Sequence, residues 1–426
     1  MNEQVKNDAS PQATSAKDFF LARQPILNRN QRLVAYELLF RAASVGPAGV
    51  TDDVAATATV IEHATELGLE NIIGGSFAFV NIDAAVLMSD FVEFLPREKV
   101  VLEILETVIA SDDVVARIIE LRETGYRFAL DDVIADSATV RKLLPHMDII
   151  KIDIMEISQN ELGALYALLK RENKKMLAEK VENMEQFKFC FDLGFDYFQG
   201  YYFAKPIILQ GKKISPSQLV VMQLMNLIIA DADTAEIEKA IKHDASLGLN
   251  LLRLMNTPAF MTAQKIESLR QALAVLGRRQ LQRWLQILLY ASAGKGDGLM
   301  SPLLMLATMR GKLLELMAQK MMPRNQSVAD VAFTVGIMSL MDTLFSAPME
   351  QILQQISVAD DVKHALLGRN GIFGEMLQLV EHIERAESNT TKLTSELEHL
   401  HLGKDELYSM QVQAFEWSDN ISQAAA

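Results

Sequence analysis

The chain has 426 residues, enough for two separately cored domains, since single hydrophobic cores stop growing at roughly 250 to 300 residues. Half of it is hydrophobic, as in a globular protein, and 41 Lys and Arg stand against 55 Asp and Glu, a formal net charge of -14. Such a surface repels phosphate backbones and anionic lipid, which disfavours general nucleic-acid or membrane binding. The one cysteine, Cys190, rules out an intrachain disulfide and fits a reducing compartment; its apolar-periodic surroundings read as packing.

In chain order, Met1 to Lys17 is polar with no apolar signal core, so residues 1–17 read as a disordered tail and the protein is expected to be cytoplasmic. From Phe19 to about Phe203, short β-branched or aromatic runs alternate with helical patterns, the mark of repeated βα units and a mainly parallel sheet. Strands are expected at Phe19 to Arg23, Leu33 to Leu38, Phe77 to Ile82, Val100 to Ile104, Arg127 to Leu130, Asp148 to Ile152, Lys175 to Ala178 and Phe195 to Phe198, which suits a compact α/β TIM-like barrel. Turn residues and charge at Ile207 to Ser217 mark a junction. Beyond it, from Pro216 to about Ala386, apolar residues recur three and four apart, as in Leu247, Leu251, Leu254 and Met255, and the segment reads as all-helical. One more helical pattern, Lys404 to Trp417, precedes a small-residue tail. The most apolar run, around Leu219 to Ala230, is interrupted by Gln223 and Asn226 and is too short to span a bilayer.

In a parallel barrel, functional side chains gather at the C-terminal strand ends. Here those ends supply Glu37, then Asn81, then Glu103 with Glu106, Asp131 with Asp132, Lys151 with Asp153, Glu179 with Glu182, and Gln199. Taken singly, any of these is more often an ordinary strand-end polar group. Taken together, so many carboxylates on one face repel unless cations hold them, and oxygen ligands without His or Cys select Mg²⁺ or Mn²⁺ over zinc. Two such ions about 3.5 to 4 Å apart can drive in-line attack of water on a phosphodiester, with one lysine orienting the water or steadying charge.

In order, the motifs Gln24-Pro25-Ile26, Glu37-Leu38-Leu39-Phe40-Arg41, Phe79-Val80-Asn81, Leu102-Glu103-Ile104-Leu105-Glu106, Leu130-Asp131-Asp132, Ile150-Lys151-Ile152-Asp153, Ala178-Glu179-Lys180-Val181-Glu182 and Gln199-Gly200-Tyr201-Tyr202-Phe203 resemble those of EAL-domain cyclic di-GMP phosphodiesterases. The resemblance implies a domain at 18–208 that hydrolyses cyclic di-GMP to linear pGpG with two Mg²⁺ or Mn²⁺ ions. It makes Glu37, Asn81, Glu103, Asp131 and Asp132 metal ligands and has Lys151 and Glu179 activate the water. Glu106 would steady the neighbouring loop, Gln199 would complete the site, and Gln24, Arg41, Asp153, Tyr201 and Pro206 would face the nucleotide. Relatives that are active follow the paired aspartates with Phe-Gly-x-Gly, a loop that organises metals and dimer contacts, whereas this chain reads Val133-Ile134-Ala135-Asp136. Losing both glycines stiffens the backbone. An enzyme, possible as a homodimer, and a weakly active or inactive cyclic di-GMP sensor or interaction scaffold both fit, with the enzyme favoured.

The segments Leu251-Leu252-Arg253-Leu254-Met255-Asn256-Thr257-Pro258, Ile266 to Ala272 and Leu276-Gly277 resemble the HDOD domain, a helical relative of HD phosphohydrolases that lacks their metal ligands. The resemblance implies an all-α HDOD domain at 213–400 that regulates or binds a protein partner, followed by a C-terminal helix and tail at 401–426. The dipeptide His243-Asp244 spells an HD motif but has no histidine between it and His146 to act as the upstream ligand, and reads as a helix N-terminus. The methionines from Met300 to Met322 read as core, and Arg278, Arg279 and Arg283 as a solvated helix face.

Overall fold

The computed structural model describes residues 19–42, 69–200, 216–230, 232–233, 236–237, 240, 269–291, 302–345, 347–384 and 390–425. Strands β1 (Phe19–Asn28), β2 (Leu33–Ala42), β3 (Phe77–Ile82), β4 (Val100–Ile104), β5 (Arg127–Leu130), β6 (Ile149–Asp153), β7 (Lys175–Glu179) and β8 (Tyr197–Phe198) close a barrel in sequence order. Between them lie α1 (Leu69–Ile73), α2 (Ala84–Leu87), α3 (Asp112–Glu123), α4 (Ala138–Leu143), α5 (Gln159–Leu169) and α6 (Met184–Leu193). Their starts are fixed locally: the side chains of Ser111, Ser137, Ser158 and Asn183 cap α3, α4, α5 and α6 by accepting from N–H groups that have no intrahelical partner.

The barrel departs from uniform βα repetition at its start. β1 runs antiparallel to both β2 and β8, while the pairs from β2 to β8 are parallel. The cause is the connection: a turn closed by Asn28 and Arg32 joins β1 to β2, and a parallel pair needs a crossover of a dozen or more residues. β1 also continues well past Arg23, through Pro25. The β8 ladder reaches only Leu27 and Asn28, so Pro25 lies where β1 is paired on one edge and a missing N–H is tolerated.

Inside the barrel, Ile26, Ala35, Phe79, Val101, Ala129, Ile149 and Leu177 form a separate apolar layer, with Tyr197 packed against it. Because strand side chains alternate between faces, the next inward position toward the mouth is two residues along each strand. Those positions are Gln24, Glu37, Asn81, Glu103, Asp131, Lys151, Glu179 and Gln199, one polar group from each of the eight strands or its immediate end. An apolar floor thus carries a polar ring.

The second half is helical: α7 (Pro216–Ile229), α8 (Leu269–Ala291), α9 (Pro302–Met321), α10 (Gln326–Met338), α11 (Met341–Phe345), α12 (Met349–Leu353), α13 (Asp360–Gly368), α14 (Gly371–Glu384), α15 (Thr390–His399) and α16 (Lys404–Ala425). α9 is central and packs on α10 and α16, with Met305, Met309 and Met317 buried. Gly336 permits the α9–α10 approach, since a Cβ there would meet the Arg310 backbone at 2.6 Å. The last helix continues beyond Trp417, where a tail was expected. Ser418, Asp419 and Ile421 are buried, and these tertiary contacts override the weak helix propensity of Ser, Asp and Asn. Arg283 also departs from expectation: it is paired bidentately with buried Glu315 at 2.5 and 2.7 Å and stacks on Phe333, away from a solvated face. His243-Asp244 lies outside the described residues. Among those described, no helix is long and apolar enough to cross a membrane.

Candidate active site

Lys151, buried at the centre of the ring, brings the expected residues together. Its Nζ lies 2.7 Å from Asp131 Oδ1, 2.9 Å from Glu179 Oε1 and 3.4 Å from Glu37 Oε2, and it also pairs with Glu103. Gln199 Nε2 donates to Glu37 Oε2 at 2.6 Å and to Gln24 Oε1 at 2.9 Å, while Asn81 Nδ2 donates to Glu37 Oε1 at 3.3 Å. Glu37 is therefore held from three sides.

One ammonium cannot balance four buried carboxylates. Burial drives Glu103 well above the ordinary carboxylate range, with Glu37 adding to it, and burial lifts Asp131 despite Lys151. Burial likewise pushes Glu179 up to about 8. Glu37 ends below its usual value, because Lys151 and the donors from Gln199 and Asn81 outweigh its burial. Lys151 itself is strongly held as the cation, the surrounding carboxylates overcoming desolvation. The residual negative charge needs protons or a metal cation.

The donor set fits a hard metal. Asn81 Oδ1, Glu103 Oε2 and Glu179 Oε2 are buried with no hydrogen-bond partner among the described residues, and every candidate ligand atom is oxygen. Glu106 joins the set: its carboxylate and those of Asp131 and Asp132 offer oxygens within 4.8 Å of one another, a ligand geometry that the expected loop-steadying role did not anticipate.

Around the ring, Asp153 is almost fully buried, accepting from the Met155 N–H at 2.8 Å and pairing with Lys180, so it is engaged within the protein and stands outside the ring. Lys180 was not singled out from sequence. Its Nζ also lies 3.7 Å from Asp132 Oδ1, and its only sequence signal is its place between Glu179 and Val181. Both Lys180 (φ 54) and Asp132 (φ 45) adopt the left-handed region that non-glycine residues usually avoid. Gly200 answers a close approach, since a Cβ there would lie 2.3 Å from the Val181 nitrogen. Arg41 sits on β2 paired with Phe20, with its side chain outside the described set; Tyr201 and Pro206 lie outside the described residues.

The segment after Asp132 is pinned: Val133 is buried and its N–H donates to the Lys151 carbonyl at 3.0 Å, while Asp136 is fastened to Arg141 at 2.5 and 2.8 Å. A cavity of about 800 Å³ opens beside the ring, lined by Gln24, Glu37, Asp131 and Glu179 and, from the helical half, by Met309 and Phe415.

Comparison with known proteins matches the EAL domain to residues 7–206 and the HDOD domain to residues 215–362. Two full-length relatives share both parts. The cyclic di-GMP phosphodiesterase CdgJ of Vibrio cholerae serotype O1 is 33% identical over 415 residues, 95% of this chain and 93% of that one. The uncharacterized protein YuxH of Bacillus subtilis (strain 168) is 33% identical over 412 residues, 95% of this chain and 99% of that one. The chain belongs to the EAL–HDOD family. Among solved structures, a standalone EAL protein of Vibrio cholerae O395 in its c-di-GMP-bound form is 25% identical, covering 44% of this chain and 92% of that one with a TM-score of 0.34. Within the EAL domain, the residues brought together are Gln24, Glu37, Asn81, Glu103, Asp131, Lys151, Glu179 and Gln199, with Glu106 and Asp132 alongside.

Proposed function

We propose that this EAL–HDOD protein is a metal-dependent phosphodiesterase that opens cyclic di-GMP to linear pGpG. The carrying observation is the polar ring, in which one buried lysine faces four carboxylates and several oxygens have no hydrogen-bond partner among the described residues. The name of the relative CdgJ supports the substrate. Glu37, Asn81, Glu103, Asp131 and Asp132, with Glu106 in reach, would hold two Mg²⁺ or Mn²⁺ ions. Bound there, such ions supply Lewis acidity toward the phosphoryl oxygens and a more acidic water.

The chain's own groups account for the remaining chemistry. Lys151 stays cationic and steadies negative charge as it grows on the phosphoryl group. Glu179 offers Oε2, buried and without a hydrogen-bond partner among the described residues, as the acceptor for the proton of the attacking water. Gln199 keeps Glu37 in one orientation, and Gln24 and, by the family resemblance, Arg41 would face the nucleotide. The protein would act in the cytoplasm, with the HDOD domain docking a protein partner.

The test is the purified full chain with Mg²⁺ or Mn²⁺ and cyclic di-GMP, followed by chromatography. Linear product that disappears with Glu37→Ala is expected; no product, or product unaffected by that change, would overturn the reading. The pinned Val133 to Asp136 segment favours a second reading, a cyclic di-GMP sensor with little turnover. Calorimetry showing tight binding without hydrolysis would select it.

A further inference from the structure

We infer that the buried ion pair between Arg23 and Asp419 is a positioning element of the nucleotide site, through which the last helix of the chain sets the Gln24–Gln199–Glu37 hydrogen-bond chain. Only the activity arm of its test rests on the phosphodiesterase reading.

Adjacent residues of a strand face opposite sides, so Gln24 enters the ring while Arg23 points out of the barrel toward the helical half. There Asp419 of α16 grips the guanidinium with both oxygens, each contact 3.1 Å. The guanidinium also donates to the Ile72 carbonyl at 2.5 Å and lies between two rings, 4.2 Å from the centroid of Tyr36 and 4.0 Å from that of Phe415. Two residues along the same strand, Gln411 of α16 donates to the Leu21 carbonyl at 2.8 Å. The part of β1 that bears Gln24 is thus clamped from outside by one helix at two points. That helix is itself fixed, since Ser418 bonds Thr308 and the Met305 carbonyl of α9 at 2.7 and 2.8 Å.

On the inner face the consequence is direct. Gln24 Oε1 accepts from the same Gln199 amide that donates to Glu37 Oε2, the oxygen Lys151 approaches. A shift of β1 therefore loosens Gln199 and turns Glu37. What separates this clamp from the balanced pairs of the helical scaffold is its place on the strand that bears Gln24, since a buried ion pair as such is often no more stable than well-packed apolar residues of the same volume. Directionality is what an apolar contact could not supply, and the bidentate geometry, which Lys cannot reproduce, provides it.

The test compares the full chain with Asp419→Asn, which keeps the shape but replaces one accepting oxygen with an NH2 that cannot accept from the guanidinium, and with Arg23→Lys, Gln24→Leu and the double variant Asp419→Asn/Gln24→Leu. Thermal melts set a temperature at which all are folded. Turnover of cyclic di-GMP is measured there, together with hydrogen exchange of peptides covering residues 176–200. The expected result is a fall in kcat of about tenfold for Asp419→Asn, a similar fall for Arg23→Lys, faster exchange at 197–200, and no further loss when Gln24→Leu is added. A lowered melting temperature with unchanged kcat and exchange, or losses that multiply in the double variant, would overturn the inference. A wild-type chain without turnover removes the phosphodiesterase reading and leaves the exchange data to decide: faster exchange at 197–200 in Asp419→Asn upholds the clamp, and unchanged exchange overturns it.

Discussion

The barrel mouth and the helical core both bury charge, and they treat it in opposite ways. In the helical half, Arg310 is matched by Glu384 and Ser339, and Arg283 by Glu315, each in close hydrogen-bonding geometry. At the mouth, Lys151 confronts four carboxylates, and oxygens of Asn81, Glu103 and Glu179 have no hydrogen-bond partner among the described residues. Balanced charge marks scaffold, whereas surplus charge of one sign, retained at a cost in stability, marks a place built for something else to bind.

The largest effect expected from this contrast is at its centre. Lys151→Met should lower turnover of cyclic di-GMP by about a thousandfold, since it removes the buried cation at the centre of the ring, where negative charge would develop. It should also weaken folding, because four buried carboxylates lose their counter-ion. A loss of less than tenfold, measured with saturating Mn²⁺, would place the charge stabilisation elsewhere.

In the helical half the same kind of change should act on stability alone. Arg310→Met removes the guanidinium that pairs with partly buried Glu384, while Glu381 keeps Arg369, and is expected to cost about 3 kcal/mol by urea melts. Turnover measured on the folded fraction should stay near wild type. A variant as stable as wild type would mean that the helical pairs are no better balanced than the ring.

The sharpest discrimination comes from a stabilising change. Glu103→Gln mimics the protonated form that burial favours, so at pH 8 without metal it should raise stability by about 1 kcal/mol while abolishing turnover. The equivalent change at Glu315, which is held below its ordinary range by Arg283 and Lys312 despite burial, should destabilise. Two glutamates of like burial would then respond with opposite sign.

Much of the site was legible in the sequence because strand periodicity and strand-end position alone bring Glu37, Asn81, Glu103, Asp131, Lys151 and Glu179 to one face. Asp153 shows where that logic ends. It follows Lys151 by two residues and shares its face, yet Lys180 and the Met155 amide occupy it, contacts that no spacing rule foretells. Lys180 escaped notice because its position depends on a left-handed backbone. The reversed β1 was hidden for a related reason: direction is set by the four residues of the Arg29 to Arg32 turn, and strand composition does not encode it. Long-range partners are the least legible of all. Nothing in the small-residue run after Trp417 announces that Asp419 meets Arg23 across the whole chain.

The smallest expected effect concerns a buried titratable group with neither surplus nor balance. Cys190 lies on α6, fully buried, and burial alone pushes its thiol up to about 12 from an ordinary value near 9. The folded protein therefore binds the thiol proton more tightly than the unfolded chain does. By linkage, the neutral thiol's contribution is fully present below about pH 9 and is lost as pH rises from there toward 12. Between pH 6 and 8 stability should be insensitive to this group, and a thiol-specific reagent should label native protein negligibly while labelling one thiol per chain after unfolding. Native labelling at the unfolded rate would show that the α6 side of the barrel opens readily. That would confine the contrast between mouth and scaffold to groups that α9 and α16 hold in place.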